Sequence, residues 1–145
     1  ISTKGRYGLR ILLDVALHQE QGPVTLSEIA RRQTLSRKYL WQVITPLKRA
    51  GFLRASRGTH GGYVLARAPH GITLLDIVAT LEGPVALVAC TADPGHCKRS
   101  VACAARVAWA EIETKWNAAL SGITLSAIVQ CHKDSEFPGG SSYMI

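Results

Sequence analysis

Two helix-starting signals in quick succession, at Thr25 and Ser36, constrain this chain more than any other feature. In Thr25-Leu26-Ser27-Glu28 the threonine hydroxyl can accept from the amide of Glu28 while the glutamate carboxylate reaches back. That capping box fixes the start of a helix running to about Gln33. Ser36 caps a third helix after a turn of only a few residues. Leu40, Val43, Ile44 and Leu47 follow at i, i+3, i+4 and i+7 spacing and define its inner face. Ser36, Arg37, Lys38, Trp41, Gln42, Thr45 and Lys48 are left pointing outward. Two short helices joined by a tight turn, the second with a polar and cationic outer face, read as a helix-turn-helix. Pro46 predicts a kink late in that helix, beyond the residues that would enter a groove.

The flanking segments complete a pattern. Lys4 to Glu20 reads as a first helix, with Leu9, Leu12, Leu13, Ala16 and Leu17 at near-helical spacing, ended by Gln21-Gly22-Pro23. After Gly51, two β-like runs (Phe52 to Ser56 and Gly62 to Leu65) enclose the glycine-rich Arg57-Gly58-Thr59-His60-Gly61. A hairpin directly after a helix-turn-helix is a wing, with Arg57 at its base and His60 as a solvated turn residue. Thr73 caps a fourth helix, Leu74 to Glu82, with Leu75, Ile77, Val78 and Leu81 as its apolar set and Gly83-Pro84 as its stop. Ser100 is expected to open a long helix to about Leu120, lined by Ala105, Ala108, Trp109, Ile112, Trp116, Ala119 and Leu120. So wide an apolar stripe suits pairing with its twin across a two-fold axis, with packing onto its own domain as the alternative. A short last helix from Thr124 to about Cys131, with Cys131 as a buried small residue, precedes a mobile tail.

The expected fold is therefore mainly α with a small β-hairpin. Residues 1–82 form a winged helix-turn-helix domain, 83–99 a loop, 100–131 the dimerisation helix and the short final helix, and 132–145 a flexible tail. With 47% hydrophobic and 19% charged residues, the composition is globular rather than disordered. No apolar run approaches the roughly 20 residues of a bilayer span and no basic-then-apolar leader opens the chain, so the expectation is a soluble cytoplasmic protein without a membrane partner. Charge divides unevenly. Residues 1–70 carry 12 Lys or Arg against 3 acids, whereas 71–145 carry 5 against 7. A basic half joined to a slightly acidic one suggests that one part meets a polyanion such as double-stranded DNA while the other does something else, with a generally basic, well-solvated surface as the alternative.

The sulfur donors have their own pattern. Cys90-x6-Cys97-x5-Cys103 places two thiols on an irregular loop and the third in the first turn of the long helix. Thiolates are soft iron ligands, and a helix N-terminus favours their anionic form. Three sulfurs leave a fourth ligand to be found. A zinc site of Cys90, His96, Cys97 and Cys103, a thiol-disulfide switch, and cysteines without function stand beside the iron reading. No Ser/His/Asp set, phosphate loop or paired carboxylates appears, so an enzyme is not expected.

Three motifs carry a resemblance: Ser36-x-x-Tyr39-Leu40-x-Gln42; Leu47-x-x-Ala50-Gly51-Phe52-Leu53; and Ser56-Arg57-Gly58-x-x-Gly61-Gly62-Tyr63-x-Leu65. With Ile72-Thr73-Leu74-x-Asp76-Ile77 and Leu81-Glu82-Gly83 they resemble the Rrf2 family of bacterial winged-helix transcription regulators. The three cysteines are similar to those of its iron–sulfur and nitric-oxide-sensing members. The resemblance implies a homodimer, an iron–sulfur cluster on Cys90, Cys97 and Cys103 (2Fe-2S preferred over 4Fe-4S), and DNA contacts by Ser36, Tyr39, Gln42 and Arg57. Chemistry agrees on the contacts. Ser36 and Lys38 suit phosphate or base edges, Tyr39 can donate to a phosphate, Gln42 has the amide geometry for adenine, and Arg57 suits a narrow minor groove. Two positions depart from the family. Arg106 stands where cluster-binding members have histidine, and Trp41 where many have glutamate. A protein-interaction winged helix, using the basic face on an acidic partner, is the rival reading.

Overall fold

The computed structural model describes residues 1–58 and 61–136. In chain order these form α1 (Thr3–His18), α2 (Leu26–Gln33), α3 (Arg37–Arg49), β1 (Leu53–Ser56), β2 (Gly62–Leu65), α4 (Leu74–Glu82), α5 (Ala89–Ala92), α6 (Ala104–Ser121) and α7 (Leu125–Glu136). The mainly helical architecture with one hairpin matches the expectation. Local chemistry sets most of the boundaries. Thr25 and Thr73 each sit in a complete capping box, with Glu28 and Asp76 as the reciprocal acids. The Thr25 hydroxyl, and then its amide, hold the Glu28 carboxylate below its usual range. The Ser36 hydroxyl accepts from the amide of Tyr39 at 3.2 Å. Pro46 is accommodated inside α3, which runs on to Arg49, so the residue lies a full turn past Gln42.

The core is built where α1, α2, α3, the hairpin and α4 meet, around Ile11, Leu12, Val15, Ile29, Leu40, Val43, Ile44, Leu47, Phe52, Leu53, Ile72 and Ile77. The inner face of α1 differs from the sequence expectation. It is centred on Gly8, Ile11, Leu12 and Val15, while Leu9, Leu13 and Leu17 are only half-buried. Gly8 explains the shift, because a Cβ there would run into the side chain of Leu81, so its absence lets α1 press directly on α4. Helix α1 also ends at His18, and Gln19–Gln21 tighten into a 3-10 turn.

One polar pin joins α1 to α2. Asp14, 3% exposed, accepts from Nε and Nη2 of Arg32, both at 2.8 Å, and from Nε2 of Gln33 at 3.1 Å. Hydrogen bonding to Asp14 pushes the Arg32 pKa up further. The turn from α2 to α3 then passes through Thr34, which has φ 55°, the left-handed region that a β-branched residue rarely occupies. The tight approach of the two helices holds it there, with its amide donating to the carbonyls of Ala30 and Arg31.

The end of α3 is fixed as firmly as its start. Gly51 (φ 74°) donates to Lys48 and Phe52 to Leu47, the paired bonds of a Schellman ending. Arg67 stacks on the Phe52 ring, 4.5 Å from its centroid, and donates to the carbonyls of Ala50 and Gly51. In the hairpin, Leu53 pairs with Leu65 and Ser56 with Gly62. Tyr63 exchanges both backbone bonds with Val24, at 2.8 and 2.9 Å, so the wing is tied to the segment entering α2. A Cβ on Gly62 would meet the Val24 backbone, so this close crossing requires glycine.

Beyond α4 three expectations are corrected. Residues Ser100–Ala102 form a 3-10 turn, Cys103 is the N-cap residue, and α6 begins at Ala104 rather than at Ser100. The reason is that Ser100 is buried and its hydroxyl donates to the Pro94 carbonyl at 2.6 Å, which draws it into the loop instead of onto a helix end. Cys131 is exposed, because α7 packs on α1 and the 3-10 turn at Pro69–Gly71 with its other side. Residues 132–136, expected as tail, continue α7. His60 and residues 137–145 lie outside the described residues.

Removing the Asp14 carboxylate leaves Arg32 and Gln33 without their shared acceptor. Because Arg32 remains a quarter exposed, Asp14→Ala is expected to lower stability by about 2–3 kcal/mol, less than a fully buried pair would. Denaturant unfolding checks this, and an unchanged midpoint would contradict the pin.

Candidate nucleic-acid interface and cysteine loop

Helix α3 turns a polar, cationic face to solvent. Ser36, Arg37, Lys38, Trp41, Gln42, Lys48 and Arg49 are exposed, while Leu40, Val43, Ile44 and Leu47 are fully buried beneath them. Of the residues predicted to meet DNA, Ser36, Lys38 and Gln42 lie together on this face, and Arg57 stands exposed where β1 leaves the hairpin. Tyr39 differs in being half-buried. Its ring packs edge-on against Tyr7 (centroids 5.7 Å apart, planes at 80°), and Arg10 sits 5.2 Å from the Tyr7 ring. Tyr39 therefore links α3 to α1 as well as flanking the exposed face.

Cationic side chains around the face divide into two groups. Arg10, Arg32, Arg37 and Arg67 are engaged, with Gln33, Asp14, Ser27 and the end of α3 respectively. Lys38, Lys48, Arg49 and Arg57 make no hydrogen bond or ion pair among the described residues, and their charge is turned outward. Sequence reasoning passed over Arg49 and Lys4, which border the exposed α3 face together with Trp41, Gln42, Thr45 and Pro46. The signal for Arg49 was its place on the helix. For Lys4 there was none, because its approach depends on how α1 packs.

The second constellation follows α4. Cys90 lies in α5, Cys97 in extended backbone after a 3-10 turn, and Cys103 at the N-cap of α6, all three half-buried. Two side chains of α6 hold this loop. The Glu113 carboxylate accepts from the Leu87 amide at 3.1 Å and the Thr91 hydroxyl at 2.5 Å. Arg106 Nε donates to the Cys90 carbonyl at 2.9 Å. Among the described residues, no three His, Cys, Asp or Glu side chains are gathered into a group that can hold a metal ion. The donor types suit a soft metal, but their arrangement within one chain is not a formed site. His96 is exposed and stands apart from any such group.

Helix α6 carries a third feature. Only Leu120 on it is buried. Val107 is 68% exposed, Trp109 45%, Ile112 48% and Trp116 40%. Trp109, Ile112 and Trp116 recur at i, i+3 and i+7 on one side of the helix, an apolar stripe of a kind that single chains rarely leave uncovered. No helix among the described residues is long and apolar enough to cross a membrane.

A helix-turn-helix with its second helix exposed, followed by a wing tied back to the helical core, defines a winged-helix DNA-binding protein. The comparisons with known proteins place it more closely. Residues 1–131 match the Rrf2 family, described as an iron-dependent transcriptional regulator, and the chain belongs to that family. It is 37% identical over 130 residues to the protein rrf2 of Nitratidesulfovibrio vulgaris, covering 90% of this chain and 87% of that one. It is 45% identical over 101 residues to the HTH-type transcriptional regulator CymR of Bacillus subtilis (70% of this chain, 73% of that one). The solved structure of that protein, titled the global cysteine regulator, superposes with a TM-score of 0.75 at 38% identity, covering 90% of this chain and 95% of the other. The IscR of T. potens superposes with a TM-score of 0.79 at 34% identity over 97% of this chain and 93% of that one. These relatives are transcription regulators rather than enzymes.

Proposed function

We propose that this Rrf2-family regulator binds specific duplex DNA sites as a homodimer, with the state of Cys90, Cys97 and Cys103 setting its operator affinity. The observation that carries the DNA half is the α3 face, where Ser36, Lys38 and Gln42 stand exposed beside outward-turned Arg49, with Arg57 on the adjoining wing. Laid in a major groove, Gln42 presents its amide to an adenine edge. Ser36, Lys38 and Tyr39 reach backbone or base edges at the helix start, and Arg57 enters the neighbouring minor groove. Residues 1–82 are the reading unit, 83–99 the sensing loop, and the helices that follow the dimer contact. The exposed Trp109, Ile112 and Trp116, at i, i+3 and i+7 on one side of α6, support that contact, since a second copy of α6 would cover them.

For the sensing half, an iron–sulfur cluster on the three cysteines is the first reading. Its support is the soft donor type, the spacing within one loop, and the family description as iron-dependent. The loop would have to draw the three sulfurs together, and a fourth ligand would come from outside the trio. Arg106 is committed to the Cys90 carbonyl, and its guanidinium is a hydrogen-bond donor without acceptor capacity, so it does not supply one. A second reading, thiol chemistry without metal, is favoured by the same observation that the sulfurs are not gathered. Either input reaches α6 directly, because Arg106 and Glu113 fasten the loop to the helix proposed to join the two copies.

Two experiments test these claims. Arg57→Ala is expected to weaken specific operator binding by about 1–3 kcal/mol and to reduce the salt dependence by about one counterion. Binding indifferent both to DNA sequence and to this change would favour an acidic protein partner instead. Protein purified without oxygen is expected to be brown, with iron and acid-labile sulfide that are lost in the Cys90→Ser, Cys97→Ser, Cys103→Ser triple variant. Colourless, iron-free protein whose operator affinity still responds to thiol oxidation would replace the cluster with the metal-free reading.

A further inference from the structure

Trp41 is out of place on a surface that is otherwise polar. Among the described residues before Leu87, it and Ile1 are the only large apolar side chains that are exposed, and Trp41 is 51% exposed. It lies in the middle of α3, directly before Gln42. It borders a shallow depression whose other walls are Lys4, Gln42, Thr45, Pro46 and Arg49. The apolar face of α6 lies on another element and has its own partner in the proposed dimer. The Tyr7–Tyr39 pair leaves the indole aside. An exposed indole that shares its depression with two cations and the Gln42 amide suits a partner that is anionic outside and carries an apolar knob within reach. In a duplex major groove, that knob is the 5-methyl group of thymine.

We infer that Trp41 is a specificity-determining residue that reads thymine through its 5-methyl group, next to the adenine-reading amide of Gln42. The inference rests on the DNA-binding reading given above and adds a base to it. Lys4 and Arg49 draw the phosphates on either side of the depression, and the charge of the basic half favours that approach. Gln42 and Trp41 are adjacent on the helix, so their side chains diverge by about 100° and reach neighbouring positions along the groove rather than one base. Their joint preference is a short A·T-rich step in each half-site. An indole ring has no carboxylate to repel phosphate, so apolar contact is what this position contributes.

The test separates the methyl group from everything else about the base. The full chain first selects duplexes from a random library. Each thymine of the selected site is then replaced, one at a time, by deoxyuridine, which keeps the pairing and removes only the methyl. Wild-type protein is expected to lose about fourfold in affinity at one thymine per half-site, the size of one methyl withdrawn from an apolar contact. Trp41→Ala is expected to bind the thymine and deoxyuridine duplexes equally, and Trp41→Phe to keep part of the preference. Wild-type indifference to every replacement, or a Trp41→Ala protein that keeps the full fourfold preference, overturns the inference. Arg57→Ala in the same titrations separates the two levels. If it weakens binding while the methyl comparison stays flat, only the Trp41 assignment falls. If the wild type selects no sequence at all, the DNA reading falls and takes this inference with it.

Discussion

A single buried carboxylate holds the reading head in shape. Asp14 projects from α1 into the interface with α2, where Arg32 grips it with two hydrogen bonds and Gln33 adds a third. Arg10 closes the network through Gln33 at 2.9 Å. Two short helices joined by a tight turn have little stability of their own, and their relative angle is what presents α3 to a groove. The Asp14 pin fixes α2 against α1, and the Tyr7–Tyr39 contact fixes α3 against the same helix. With the strained Thr34 turn between them, the pair is held at one crossing geometry.

The other end of α3 is governed by the hairpin. Arg67 reaches back over Phe52 to the last carbonyls of α3, while Tyr63 pairs with Val24 ahead of α2. The strands of the wing are thereby referenced to both helices of the motif, and Arg57 follows directly on β1. The cysteine-bearing loop sits apart from this assembly and is fastened to α6 by Glu113 and Arg106. That arrangement puts any change at the sulfurs on the helix with the uncovered apolar face. In a two-fold dimer, small movements of that helix alter the separation of two reading heads whose half-sites are spaced by about one helical turn.

Much of this was legible in the sequence because it is local chemistry. Thr25, Ser36 and Thr73 cap the helices they were expected to cap, and the two β-like runs pair as β1 and β2. Such features depend on neighbours within a few residues. The misreadings share the opposite cause. Ser100 has the character of a cap, but the Pro94 carbonyl six residues earlier claims its hydroxyl. The inner face of α1 is set by how closely Gly8 meets Leu81, which no periodicity in α1 reveals. Cys131 faces solvent because of what α7 packs on. The spacing of Cys90, Cys97 and Cys103 named the sulfurs but not their separation in space, which depends on how Arg106 and Glu113 fold the loop.

In the proposed function the exposed face of α6 joins two reading heads into one operator-binding unit. Sedimentation equilibrium of wild type and Trp109→Glu, paired with operator titration of the same samples, tests it most directly. The wild type is expected to be a dimer and the variant a folded monomer, with specific affinity reduced to that of a single half-site. A variant that remains dimeric and binds the full operator as the wild type does would contradict it.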